Sequence, residues 1–316
     1  VTEPLTSGPA VAVSSFRMAF GNRTVIEDLS FDVARGETFG FLGSNGSGKT
    51  TTIRALLGIY QATAGTLYIN GRSFRSEEGH TLGYLPEERG LYKKDSVIDV
   101  MAYFGELKGL TGKAARSWSL EFLERVGLAD KARTRVDKLS GGQQQKVQLG
   151  VTIMSKPDLL ILDEPTKGFD PVNRRLLMDI IGEQKTRGAT VIMVTHQMEE
   201  VEQLCDRILL LKNGKAEAYG TIAQVQDQYG TRTATVVYTG TLPADAAFTP
   251  LTVRPTGVPG ESTAHIALAD STDSTELLQH LVGRGLRISS FTTSRTSLED
   301  IFLRVYGADQ APERAL

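Results

Sequence analysis

The spacing of apolar residues changes twice along the chain. From Val11 to about Gly43 they come in short runs, VAVSSF, VIEDLSFDV and TFGFL, broken by Gly21 and Gly36. That pattern predicts strands, the last one running into a glycine-rich loop. After the loop, TTIRALLGI sets Ile53, Leu56 and Leu57 at helical spacing, and TLYING predicts another strand. Between about Glu88 and Lys156 the pattern turns helical, with SVIDVMAYFGELKGL and KAARSWSLEFLERVGL carrying apolar residues at helical intervals. PDLLILDEP, ATVIMVTHQ and DRILLLKNG then return to continuous apolar runs, as in parallel strands covered on both faces. The reading is an α/β core with a helical insert. Beyond about Gly230, TATVVY, AHIALA and LRISSFTTS predict strands, with helices at STELLQHLVGRG and SLEDIFLRVYG. These predict a small α+β appendage of ferredoxin-like type. The expected organisation is a flexible tail over residues 1–10 and a main domain over 11–230, with its helical subdomain at about 88–157. A C-terminal accessory domain follows over 231–316, its last residues frayed.

Composition narrows the classes. Lys and Arg number 35 against 37 Asp and Glu, a formal charge of −2, so the basic excess of a protein living on a nucleic-acid backbone is missing. No nucleic acid is expected as partner. The one cysteine, Cys205, lies in VEQLCDRILLL, where a buried thiol is expected and an intrachain disulfide cannot form. VTEPLTSGPA does not read as a signal peptide, and no apolar run reaches the roughly 20 residues that span a bilayer. A role at a membrane would need another chain to cross it.

Two motifs carry chemistry. GSNGSGKT, from Gly43 through Ser44, Asn45, Gly46, Ser47, Gly48 and Lys49 to Thr50, fits the phosphate-loop pattern between a predicted strand and a predicted helix. Glycines let backbone N–H groups turn inward onto phosphate oxygens, and the helix start adds partial positive charge. Lys49 is expected on the β- and γ-phosphates of a nucleoside triphosphate, and the Thr50 hydroxyl on Mg²⁺. The apolar run LLILDEP ends in Asp163 and Glu164. An Asp-Glu pair after a strand is by itself a solvated turn. Beside a phosphate loop, Asp163 is expected to hold Mg²⁺ and Glu164 to deprotonate the attacking water.

Leu139 to Gln143 read LSGGQ, within DKLSGGQQQKVQLG. With this motif the chain resembles the ATP-binding subunits of ABC transporters over about Val11 to Gly230. The resemblance implies a P-loop, RecA-like ATPase core with a helical subdomain, and ATP hydrolysis in a head-to-tail homodimer. In that dimer Ser140, Gly141, Gly142 and Gln143 close over ATP held by the partner copy. It further implies adenine stacking by Phe20, Thr51 near the α-phosphate, Asp170 reaching across the dimer, and His196 on the γ-phosphate. Glu87, in GYLPEERGLY, stands where many such proteins have a glutamine that touches Mg²⁺, and Lys167 and Phe169 replace a commoner Ser and Leu. PEERGLY and the terminal SLEDIF resemble a branch of bacterial exporters that includes sodium- and drug-extruding members. A transmembrane permease of ABC-2 type is the implied partner, docking near Arg89, Gly90, Leu91 and Tyr92 and keeping the chain at the cytoplasmic face of the membrane. The alternative is a soluble ABC ATPase acting on ribosomes or DNA. A ribosomal one would normally carry two cassettes in one chain, and a DNA-repair one long coiled coils between its halves.

Overall fold

A computed structural model describes residues 8–74, 82–88, 90–229, 232–242, 250–268, 273–294 and 297–307. The expected tail up to residue 7, Arg89 and the frayed end after 307 lie outside the described residues. The chain divides into two compact units, with the boundary between Tyr219 and Gly220.

The first unit opens with β1 (Val11–Phe20) and β2 (Arg23–Val33), then β3 (Thr38–Leu42), α1 (Lys49–Leu56), β4 (Ala64–Ile69) and β5 (Leu82–Leu85). A helical stretch follows: α2 (Val97–Leu107), α3 (Gly112–Arg125) and α4 (Gly141–Ile153). The chain then returns to α/β alternation with β6 (Leu159–Asp163), α5 (Pro171–Thr186), β7 (Thr190–Val194), α6 (Met198–Leu204), β8 (Arg207–Lys212) and β9 (Lys215–Thr221).

Two sheets result, one of three strands in the order β2-β1-β4 and one of six in the order β5-β6-β7-β3-β8-β9. In the larger sheet β5, β6, β7, β3 and β8 pair in parallel. Every residue of β3, β6 and β7 is buried, which is why these strands read as unbroken apolar runs. Asn213 and Gly214, both at positive φ, form the tight turn that joins β8 to β9. Parallel strands share one direction, so the loops leaving β6, β7 and β3, which are neighbours in the sheet, emerge along one edge. That edge carries the motifs.

Val97, Val100, Met101, Phe122, Leu123 and Val147 of the helical stretch join one apolar cluster with Leu85 of β5, Leu160 and Leu162 of β6 and Leu177 of α5. Ser96 and Thr111 cap α2 and α3 by accepting from Asp99 N and Ala114 N, at 3.3 Å each. Gly150 on α4 lets the Phe122 ring approach: a Cβ there would lie 2.5 Å from it.

The second unit holds α7 (Ile222–Tyr229), β10 (Arg232–Thr239), β11 (Pro250–Pro255), β12 (Glu261–Leu268), α8 (Ser274–Gly283), β13 (Arg287–Ser294) and α9 (Leu298–Gly307). Its four strands form an antiparallel sheet in the order β11-β12-β10-β13. Leu277 and Leu281 of α8 pack with Ala234, Val236, Tyr238, Ala264 and Ile266 on one face of this sheet. Among the described residues no helix is long and apolar enough to cross a membrane.

Candidate nucleotide site

The loop between β3 and α1 wraps its own lysine. Gly46 and Gly48 take φ of 79° and 111°, and the Ser47 N–H donates to Ser44 O at 3.2 Å. Lys49 folds back under the loop, its Nζ donating to Gly43 O at 2.7 Å and Ser44 O at 3.0 Å. A Cβ on Gly43 would lie 2.5 Å from Ser47 Oγ, so this glycine is required by close approach. Burial holds the Lys49 ammonium below its usual range, opposed by Glu164, Asp163 and Glu87.

The other two loops bring the acids and the histidine. Asp163, the last residue of β6, is 2 % exposed, and its Oδ2 is buried without a hydrogen-bond partner. Burial pushes its carboxyl up to about 6, with Glu87 and then Glu164 adding repulsion. Glu164 follows at φ 50°, a left-handed conformation outside the glycine norm, anchored by its N–H donating to Val194 O at 2.7 Å. Its Oε1 lies 2.8 Å from His196 Nδ1. An ionised carboxylate only accepts, so Nδ1 carries the proton in this contact.

These groups face one cavity of about 510 Å³, lined from the sequence-predicted set by Asn45, Gly46, Gly48, Lys49, Thr50, Thr51, Glu87, Asp163, Glu164 and His196. Gly43, Ser44 and Ser47 support the loop without lining the cavity. Sequence reasoning missed three lining residues, Arg23, Val25 and Lys167. The first two sit on β2 just after Phe20 and carry no motif. Lys167 had been noted as an unusual residue, and the structure gives it a partner: Nζ donates to Glu87 Oε1 at 2.6 Å.

Six further expected site residues, Phe20, Ser140, Gly141, Gly142, Gln143 and Asp170, fall outside the cavity. Phe20 ends β1, 45 % exposed, with its ring edge-on to Tyr60 at 5.3 Å. Ser140 caps α4, and its Oγ accepts from Gln143 N at 3.3 Å while Gln143 Oε1 accepts from Ser140 N at 2.9 Å. This reciprocal cap occupies the Ser140 N–H, leaving the N–H groups of Gly141 and Gly142 and the serine's own O–H to meet an anion. Asp170 caps α5, its Oδ1 accepting from Asn173 N at 3.0 Å, and these bonds hold its carboxyl below the usual range. Phe169, where a leucine is commoner, puts its ring edge where a Cβ on Gly142 would come within 3.1 Å.

Buried side chains connect these parts. Gln145 and Gln148 of α4 donate to Pro165 O and Glu88 O, each at 3.4 Å. Glu200 on α6, 3 % exposed, accepts from Thr166 Oγ1 at 2.6 Å and stands 3.6 Å from Arg174 Nε of α5. Among the described residues no group of three His, Cys, Asp or Glu side chains could hold a metal by itself. A Mg²⁺ ion needs no such cage when substrate phosphates and water complete its octahedron. The hard oxygens of Thr50 and Asp163, with Asp163 Oδ2 buried and unpaired, fit that partial role.

The model of the ABC transporter family matches residues 26–167, and that of the ATP-binding protein DrrA1-3-like, C-terminal domain matches residues 220–306. An uncharacterized ABC transporter ATP-binding protein of Methanocaldococcus jannaschii is 44% identical over 69% of this chain and 79% of its own length. The Nod factor export ATP-binding protein I of Burkholderia lata is 34% identical over 92% of this chain and 94% of its own. A solved structure described as the ATP binding subunit of an ABC transporter superposes with a TM-score of 0.65 at 29% identity. It covers 70% of this chain and 93% of that one.

Proposed function

The chain belongs to the ABC transporter ATP-binding proteins, and we propose that it drives an exporter by joining two copies head to tail over two nucleotides. Its activity is that of the family, hydrolysis of ATP to power transport. The observation that carries the reading is the convergence of Lys49, Asp163, Glu164 and His196 on one cavity behind the phosphate loop.

In this reading the loop N–H groups and Lys49 hold the β- and γ-phosphates, with Phe20 and Thr51 toward the base and α-phosphate. Thr50 and Asp163 would hold Mg²⁺, with Glu87 near it, and the ion would supply charge neutralisation on the phosphate oxygens. Glu164 takes the proton of the attacking water, and its 2.8 Å contact to His196 fixes the carboxylate's orientation. The second half of each site comes from the partner copy, through its Ser140 O–H, its Gly141 and Gly142 N–H groups, its Gln143 cap and its Asp170.

Charge-assisted hydrogen bonds contribute about 1.5–3 kcal/mol each. Two per γ-phosphate at two sites amount to about 6–12 kcal/mol before ordering costs. Moving a population from 1:99 to 99:1 takes about 5.5 kcal/mol, so losing the γ-phosphate bonds is of the size needed to open the pair.

The membrane partner is proposed to be a permease of ABC-2 type, with the chain at the cytoplasmic face. Support comes from the names of its relatives, one of which is a Nod factor export protein, and from the DrrA-like C-terminal match. Tyr92 offers the permease an exposed aromatic surface beside Tyr103 and Phe104, with ring centroids 5.6 and 5.9 Å away.

The test is Glu164→Gln. We expect it to abolish turnover while ATP-bound dimers survive gel filtration. Wild-type ATPase in this variant would remove Glu164 from the role of base, and a monomer with ATP would remove the head-to-tail pair.

A further inference from the structure

We propose that Lys167 is a positioning residue for Glu87, the counter-charge that lets a third carboxylate stand in the nucleotide cleft. The inference rests on reading that cleft as the ATP site. Glu87 comes from the loop after β5 and Lys167 from the loop between β6 and α5, 80 residues apart in sequence. Both line the same cavity as Lys49, Asp163 and Glu164. Three carboxylates on one wall of an anion site work against the anion. Without Lys167, Lys49 and Arg23 of β2 would have to offset them at the phosphates. Lys167 ties up the added carboxylate at 2.6 Å and cancels its field where the phosphates lie.

The pair is placed by backbone as well as by charge. The Lys167 N–H donates to Glu164 O at 3.2 Å, so the turn that displays Glu164 also fixes Lys167. Lys167 and Glu87 are 60% and 42% exposed, and an ion pair that open to water contributes little to folding. Its effect is therefore expected in ligand affinity and not in stability. That separation makes it testable.

Four proteins decide it: the wild type, Glu87→Gln, Lys167→Met and the double variant, each first melted to confirm an unchanged fold. Each is titrated with a fluorescent ATP analogue, without and with Mg²⁺, at low and at high salt. We expect Lys167→Met to weaken binding about fivefold when Glu87 is present and less than twofold in the Glu87→Gln background. The difference should shrink at high salt, because the cleft charges are partly screened. Equal losses in both backgrounds would mean that Lys167 serves the nucleotide directly, and no loss in either would mean a solvated surface lysine; both overturn the proposal. A wild type that binds no ATP analogue would remove the reading of the cleft, and the proposal with it.

Discussion

Replacing Asp163 with Asn should make the nucleotide-free protein more stable while ending its hydrolysis of ATP. The carboxylate is buried, one oxygen lacks any partner, and its carboxyl is pushed up to about 6 from an ordinary 3.8. A rise of about two units corresponds to about 3 kcal/mol of lost stability, at about 1.36 kcal/mol per unit. The sign follows from proton binding. Between the two values the folded chain holds a proton that the unfolded chain has released, so stability falls as pH rises from about 4 through about 6. Below 4 both states are protonated and the penalty vanishes. An asparagine keeps the shape without the charge but leaves an amide in place of the unpaired oxygen, so the net gain at pH 7.5 should be about 1–3 kcal/mol. Urea denaturation of nucleotide-free protein measures it, and at pH 5 the gain should be smaller than at pH 7.5 by about 1.4 kcal/mol. A variant no more stable than wild type at pH 7.5, or a gain independent of pH, would refute the claim that burial raises this carboxyl.

The other predictions are simpler. Gly48→Ala should abolish ATP-analogue binding and cost at least about 1–3 kcal/mol, because φ is 111° and a Cβ would sit 2.3 Å from Ile26 Cδ1; a thermal melt with a binding titration checks both. Cys205 is buried, with its thiol held far above the ordinary range by desolvation. It should resist alkylation in native buffer and react at once in denaturant, and labelling of the folded chain would contradict its placement.

Much of this architecture was legible because buried parallel strands advertise themselves. TFGFL, LLILD and TVIMV are largely apolar because both faces are covered, and each ends at a loop carrying a motif. The short strand LGYL was not read as a strand, since four residues before PEERG offer no period to count. KAEAYGT and PLTVRP escape for a different reason: each lies at the edge of its sheet and carries no long apolar run. Lys49, Asp163 and Glu164 follow from the phosphate-loop pattern and the strand end beside it, whereas Glu87 and His196 entered only through the family resemblance. What spacing could not give was pairing. Glu87 and Lys167 each stood out as an odd residue, and only the fold brings the two oddities together. Likewise Gln143 reads in sequence as part of an anion-binding motif, while its side chain is spent on the backbone of Ser140.

Glu200 has a mechanical meaning beyond its own contacts. It belongs to the helix that begins just after His196, yet it grips Thr166, behind Glu164, and faces Arg174 on the helix capped by Asp170. One dry carboxylate thus acts as a rivet between two levers, one bearing the histidine and the other the residues proposed to reach a mate. In the head-to-tail pair proposed above, a push on either lever would be delivered to the other without passing through solvent, and the state of one cleft would reach its neighbour as a displacement.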